Sequence, residues 1–302
     1  MSEVIRPSLP TNPDWDPTAE TQPFRVIKRP RTTRRRSAIF WGFLLGFILS
    51  IYLIFPMRTN VLILGVDRSP EGTALGRTDT MILTTINPLK AYVGLLSIPR
   101  DLWVQLPEGQ YNRINTAHFF AENIEPGTGP LAAKDVVQLN FGVDVHYYIR
   151  FMFDDFIGFV DALGGIPIKL EEPIAGYPPG EHILDGEEAL AFVRDRMGTD
   201  DFFRMSHGQL FIKALLEHLI KPNSWAHAPG AFLGLLASLD SDIPFWLWPR
   251  MGVAILRASI DGLDFRVVSR EMTNGFLTQS GAQVLDPDWS KINPILFEMF
   301  GQ

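Results

Sequence analysis

The feature that most constrains this chain is an uncharged apolar run near its start. Residues 37–56 read SAIFWGFLLGFILSIYLIFP, twenty residues without a charge, the length an α-helix needs to cross the roughly 30 Å hydrocarbon layer of a bilayer. Gly42 and Gly46 are tolerated in lipid, and Trp41 and Tyr52 suit the two headgroup zones. Lys28, Arg29, Arg31, Arg34, Arg35 and Arg36 precede the run, whereas only Arg58 follows it closely. The positive-inside rule therefore places the N-terminus in the cytoplasm and everything after about Met57 outside. A cleaved signal peptide is the rival reading. The run exceeds the usual apolar stretch of about 7–15 residues and no small-x-small site follows it, so it is read as a retained, single-pass membrane anchor.

The basic flank also resembles a nucleic-acid signal, but beside a spanning helix the topological explanation is sufficient, and no nucleic-acid partner is expected. The chain carries a net charge of −7. Residues 1–36 hold eight Lys/Arg and four Asp/Glu, which leaves the remainder near −11. An acidic domain handles phosphate only through a local arginine cluster or a metal held by carboxylates. The absence of cysteine excludes disulfides, thiolate metal sites and cysteine nucleophiles together. Six prolines within residues 1–30 and little apolar periodicity mark 1–36 as a disordered cytoplasmic tail. Residues 37–56 are the transmembrane helix, and 57–302 suffice for one extracytoplasmic core.

Within that domain, 61–66 (VLILGV) reads as a strand buried on both faces and stops at Asp67-Arg68. Residues 80–86 and 91–98 read as strands around an Asn87-Pro88 turn, the second ending at Pro99-Arg100-Asp101. Helical patterns cover 131–139, 153–163, 187–193 and 208–220. Gly164-Gly165 closes the second before a strand at 166–170, and Asp185 with Glu188 forms a capping pair for the third. Strands interleaved with helices predict an α/β fold, a layered α-β-α domain with a central mixed sheet whose site lies beyond the strand ends.

Two aspartates, Asp67 and Asp79, bracket a Gly-containing loop, each near an arginine. They are either turn carboxylates paired with their neighbours or the oxygen ligands of a hard cation such as Mg²⁺. Arg194, Asp195, Arg196, Asp200, Asp201 and Arg204 concentrate six charges in eleven residues. Such a run is either a solvated face or a phosphate grip, since the arginine fork matches phosphate oxygens. Arg100-Asp101 and Arg113-Ile114-Asn115 add two arginine-bearing loops, which taken singly are a strand-end salt bridge and a surface turn. Together these parts match the needs of phosphoryl transfer. The six histidines show no metal-ligand spacing, and no G-x-S-x-G, Walker or G-x-G-x-x-G motif stands in a suitable place. The aromatic stretch 243–249 (IPFWLWP) is read as core, with a membrane-facing patch and a lipid-pocket wall as alternatives.

In order along the chain stand Gly65-Val-Asp67, Arg77-Thr-Asp79-Thr, Ser97-Ile-Pro-Arg100-Asp101, Arg113-Ile-Asn115, Gly164-Gly-Ile, Leu184-Asp-Gly-Glu-Glu-Ala-Leu190, Arg194-Asp-Arg196 and Asp201-x-x-Arg204. This series closely resembles the LytR-CpsA-Psr family over residues 61–219, with a weaker similarity around Leu285-Asp-Pro-Asp288. The resemblance implies a Mg²⁺-dependent phosphotransferase that moves a glycan polymer from a polyisoprenyl pyrophosphate carrier onto peptidoglycan. It implies that Asp67 and Asp79 bind Mg²⁺, that Arg77, Arg100, Arg194, Arg196 and Arg204 contact pyrophosphate, and that Asp101 and Asp201 orient arginines or assist proton transfer. Arg113, Asn115, His207 and Gln209 complete the implied substrate contacts, and segments 153–163 and 211–219 flank the lipid tail.

The chain departs from the family at two places. Arg113 stands where a lysine is usual, and His207-Gly208 replaces Arg-Gln, with Gln209 one place late. A histidine supplies the missing charge only when protonated. The competing functional classes are a non-catalytic binder of lipid-linked glycans, or envelope regulator, and a polyprenyl-pyrophosphate hydrolase.

Overall fold

A computed structural model of the chain describes residues 34–55, 58–66, 76, 78–195, 201–221, 230, 234, 239–259 and 261–301. Residues 1–33, and with them nearly all of the expected tail, lie outside the described residues. The chain divides into a first unit of Met1–Phe47 and a second of Ile48–Gln302. Helix α1 (Arg34–Ile54) contains a stretch, Ser37–Ile54, of mean hydropathy 2.2 with none of it buried, long and apolar enough to cross a membrane.

In the second unit the apolar run after the anchor becomes β1 (Thr59–Val66), followed by β2 (Thr78–Asn87) and β3 (Tyr92–Ser97). Short strands β4 (Trp103–Gln105) and β5 (Tyr111–Arg113) form a side hairpin, and α2 (Thr116–Ile124) and α3 (Gly129–Phe141) lead to β6 (Tyr147–Met152). Next come α4 (Phe153–Ala162), the hairpin β7 (Ile166–Leu170) and β8 (Gly180–Leu184), α5 (Gly186–Arg194) and α6 (Asp201–Ile220). The remainder supplies β9 (Asp240–Ser241), α7 (Trp248–Ala258), β10 (Leu263–Val267), the hairpin β11 (Thr273–Leu277) and β12 (Gln283–Pro287), and α8 (Trp289–Phe300).

The central sheet has the order β10-β3-β2-β1-β6-β9. It is mixed, as expected: β1 runs parallel to β6 and β3 parallel to β10, while β1–β2, β2–β3 and β6–β9 are antiparallel. Strand alternation sends Leu62, Leu64, Leu83 and Leu96 to one face, where α3 and α8 cover them with Val136, Val137, Leu296 and Phe300. The other face presents Val61, Ile82, Ile86, Val93 and Leu95 to Met251, Ala254 and Ala258 of α7. This is the predicted α-β-α layering. A third apolar cluster joins α4, α5, α6 and the β7–β8 hairpin through Val160, Ile166, Leu184, Phe192 and Phe211.

The local signals in the sequence act as their chemistry dictates. Asp185 accepts a hydrogen bond from the Glu188 N–H at 2.9 Å and Glu188 returns one to the Asp185 N–H at 3.1 Å, a complete capping box for α5. Gly164 and Gly165, at φ +83° and +86°, turn the chain out of α4 into β7. The aromatic stretch is split rather than wholly core: Ile243 and Leu247 are buried, but Phe245 is 80% exposed and Trp246 54%. The chain there enters a 3₁₀ turn and then α7, so successive residues alternate between sheet and solvent.

A charged network crosses the β6 side of the sheet. Arg150 donates to Glu122 at 2.9 Å, pairs with Asp240, and lies 3.2 Å from His118 Nε2. Burial raises the Glu122 carboxyl, but N–H bonds from Gly127 and Gly129 together with Arg150 hold it below its ordinary value overall. His118, with no exposed surface, has its pKa pushed down to about 4 by burial first and by Arg150 second. It stays neutral in the fold but gains a proton when unfolded, so stability falls as the pH drops from the unfolded value near 6.5 towards 4, by up to about 3 kcal/mol. Urea unfolding at pH 7 and pH 5 should show a larger loss for the natural chain than for His118→Gln. Equal losses would remove His118 as the cause.

Candidate active site

The strands converge at one sheet edge. β1 and β6, which are parallel, end there at Val66 and Met152, β3 ends at Ser97, and antiparallel β2 begins there at Thr78. A register shift between Gly65 and Val66 breaks the β1–β2 ladder at this point, a device that re-aims side chains beside functional sites. Asp79 is the extra residue at that shift, between Thr78 opposite Val66 and Thr80 opposite Gly65, and so sits at the C-terminal ends of β1 and β6, where α/β sheets bind ligands.

Asp79 is gripped from two elements. Arg100, on the loop after β3, donates from Nη1 to Asp79 Oδ1 at 2.5 Å. Arg204, one turn into α6 and only 8% exposed, donates to the Asp79 carbonyl at 2.7 Å and places its other nitrogen 4.0 Å from Oδ1. Arg194, the last residue of α5, lies over the Phe153 ring at 5.0 Å, a cation–π contact that fixes the guanidinium plane. Asp79, Thr80, Phe153, Val193, Arg194 and Arg204 line a cavity of 380 Å³. Phe153 was not singled out from sequence; its position as the first residue after β6 is the signal that marks it.

The Arg100 loop is braced from behind. Asp101 lies 3.5 Å from Arg100 Nε and 3.3 Å from Arg113 Nη1, so one carboxylate spans both arginines. Arg113 also donates to the Gln283 carbonyl at 3.3 Å, and the Leu285 N–H donates to the Asp101 carbonyl at 3.0 Å. Those two contacts give a physical reason for the similarity noted around Leu285. Asn115 is buried, and its N–H donates to the Arg100 carbonyl at 3.4 Å.

Arg113, Asn115, His207 and Gln209 do not line the cavity. The Gln209 side-chain amide donates to Ser97 Oγ at 3.1 Å and to the Arg266 carbonyl, tying α6 to the ends of β3 and β10. His207 packs on Phe192 with ring centres 5.7 Å apart. Burial lowers its pKa while the Asp195 charge opposes this. Asp67, Arg77 and Arg196 lie outside the described residues, as does the side chain of Asp201, which opens α6. The helix pattern read over 208–220 starts seven residues earlier than its apolar content suggests, because its first turn carries the charged cluster.

The segments expected to flank a lipid tail meet beside this cavity. Phe156 of α4 and Phe211 of α6 pack with ring centres 5.3 Å apart, and Phe151 stacks on Phe156 at 6.3 Å. Among the described residues no group of three or more His, Cys, Asp or Glu is placed to hold a metal. Asp79 itself is a hard oxygen ligand with 16% of its side chain exposed, and Mg²⁺ is commonly held by only one or two carboxylates with water and phosphate oxygens. Asp79 Oδ1 is held by Arg100 at 2.5 Å, so a cation there would share that carboxylate.

Comparison with known proteins agrees with this architecture. The LytR_cpsA_psr family model matches residues 57–286. The polyisoprenyl-teichoic acid–peptidoglycan teichoic acid transferase TagU of Oceanobacillus iheyensis is 37% identical over 141 residues, covering 45% of this chain and 43% of the relative. The chain spans about half the length of the curated relatives it matches. Among solved structures, Bacillus subtilis TagV superposes with a TM-score of 0.66 at 22% identity, over 81% of this chain and 97% of that one. TagT bound to LI-WTA superposes with a TM-score of 0.64 at 20% identity, over 82% and 92% respectively.

Proposed function

The chain belongs to the LytR_cpsA_psr family, and we propose that it transfers a glycan polymer from a polyisoprenyl pyrophosphate carrier to peptidoglycan at the outer surface of a membrane, forming a phosphodiester. The observation that carries this reading is the convergence of Asp79, Arg100, Arg194 and Arg204 from four segments at one sheet edge. Two arginines lining a small cavity, Arg194 and Arg204, with Arg100 joined to it through Asp79, suit a doubly charged pyrophosphate. The names of relatives such as TagU support the donor and acceptor classes.

In the reaction an acceptor sugar hydroxyl attacks the glycan-side phosphorus. The new O–P bond forms as the bond to the bridging oxygen breaks, and polyprenyl phosphate leaves. Arg100 and Arg204 neutralise the phosphoryl oxygens, their positions set by Asp79. Arg194, over the Phe153 ring, lines the same cavity. Asp201 is the candidate to receive the hydroxyl proton, while Asp101 orients Arg100 and Arg113. Asp79, with Asp67, would hold Mg²⁺, which when bound supplies further charge neutralisation at the pyrophosphate. Phe153 and Val193 are the apolar residues of the cavity that would meet the first isoprene unit, and α1 would keep the domain beside its lipid donor with the N-terminus in the cytoplasm.

The full chain in vesicles, given a polyprenyl-pyrophosphoryl saccharide, Mg²⁺ and a peptidoglycan oligomer, is expected to yield phosphodiester-linked product. The product should disappear on chelation and in Asp67→Ala. Polyprenyl phosphate released without linkage would make the protein a hydrolase, and binding without turnover would make it a carrier-binding regulator; either result overturns the transferase.

A further inference from the structure

The exposed half of the aromatic stretch continues into α7 as a single stripe. Phe245 and Trp246 are followed on the outer side by Pro249, Gly252, Val253 and Leu256, all exposed. This is the spacing of one helix face. The inner side, Leu247, Arg250, Met251, Ala254 and Ala258, is buried against the sheet. Surface apolar residues scattered singly need no explanation, whereas a contiguous stripe does.

Three further observations say what meets it. First, the stripe begins where α1 ends: the Tyr52 hydroxyl donates to the Trp246 carbonyl, and Arg250 lies 3.5 Å from both the Ile54 carbonyl and Thr59 Oγ1. Second, no acidic residue occurs from 245 to 260, in a domain where acids outnumber bases, and Arg257 stands on the exposed side beside Leu256. Third, aromatic and aliphatic residues on one face with a basic residue at its margin are the composition of a helix lying in a bilayer interface.

We propose that the Phe245–Leu256 stripe is a second membrane contact, seated in the anionic lipid headgroup layer next to the exit of α1. The proposal rests on the reading of α1 as a spanning anchor. It also answers a geometric difficulty. β1 starts at Thr59, near the anchor, and ends at Val66, near Asp79, which separates the site from the anchor by about 23 Å along the strand. A domain standing upright on α1 would lift the site away from its lipid donor by about that distance. With α7 on the bilayer the sheet lies along the surface instead, raised by roughly one helix thickness of about 10 Å, and the Asp79 edge stays within reach of a pyrophosphate headgroup.

Because the chain has no cysteine, single-cysteine variants label cleanly. The full chain is reconstituted in phosphatidylcholine–phosphatidylglycerol vesicles with an environment-sensitive fluorophore on Phe245→Cys, Leu256→Cys, Ile183→Cys or Ile48→Cys, the last reporting on the anchor. Nitroxide lipids labelled near the headgroup should quench the 245 and 256 probes about threefold and leave the probe at 183 unchanged. Quenching at 48 by deep nitroxides with none at 245 and 256 overturns the proposal and keeps the anchor. No quenching at 48 removes the anchor and the proposal together. Blue-shifted emission at 245 without nitroxide quenching means that protein covers the stripe, which also overturns the proposal.

Discussion

Replacing Asp79 by alanine is expected to reduce transfer from the lipid-linked donor by about 10³-fold or more while the domain stays folded. Losing one preorganised charge from such a site typically lowers the rate by about 10²–10³-fold, and Asp79 sets the position of two arginines, Arg100 through its carboxylate and Arg204 through both its carbonyl and carboxylate. The effects of residues that act as a unit do not add, so Asp79→Ala with Arg100→Ala should be little worse than either alone. The fold survives because alanine keeps the carbonyl that accepts from Arg204 at 2.7 Å. Product formation by the purified variants, with thermal unfolding as the control, checks this. Turnover within tenfold of the natural chain would remove Asp79 from the centre of the mechanism.

Arg150→Ala is expected to destabilise the second unit by about 3–5 kcal/mol, the penalty for stranding a buried charge. Glu122 and Arg150 are only 4% and 8% exposed at the side chain, and Arg150 is the cation that Glu122 contacts at 2.9 Å. Without it Glu122 keeps the Gly127 and Gly129 N–H bonds, each 2.9 Å, but faces a neutral interior. The unfolding temperature should fall by roughly 10 °C. The double variant Arg150→Met with Glu122→Gln should recover a large part of the loss, because removing both charges avoids the stranded ion. A fall of less than about 1 kcal/mol in the single variant, or no recovery in the double, would show that the network is not balanced in this way.

The parts of the fold dictated by nearest neighbours were legible in the sequence. The unbroken run 61–66 read as a doubly covered strand and is one, the Asp185–Glu188 pair capped a helix, and Gly164-Gly165 ended one. Of the ordered Asp and Arg motifs, Asp79, Arg100, Arg194 and Arg204 are brought together at the strand ends, where apolar runs stop. Long-range pairing could not be read. Glu122, Arg150 and Asp240 are far apart in sequence and meet only because α2 and β9 pack beside β6. Helix α2 escaped notice because it is short and leaves Phe120 and Ile124 exposed. Gln209 looked like a displaced substrate ligand; in the fold it fastens α6 to Ser97 and Arg266. The aromatic run 243–249 misled because its residues divide between two sides of a turn, which composition does not record.

The brace from Leu285 to Asp101 also orders events in time. A chain made from its N-terminus delivers β1, β2 and the Arg100 loop well before the β11–β12 hairpin that closes behind that loop. Contacts so distant in sequence carry a large loop-closure entropy and form late. The Arg100 loop thus has its contacts with Asp79 and Asn115 before β12 docks and adds the bond from Leu285 to Asp101.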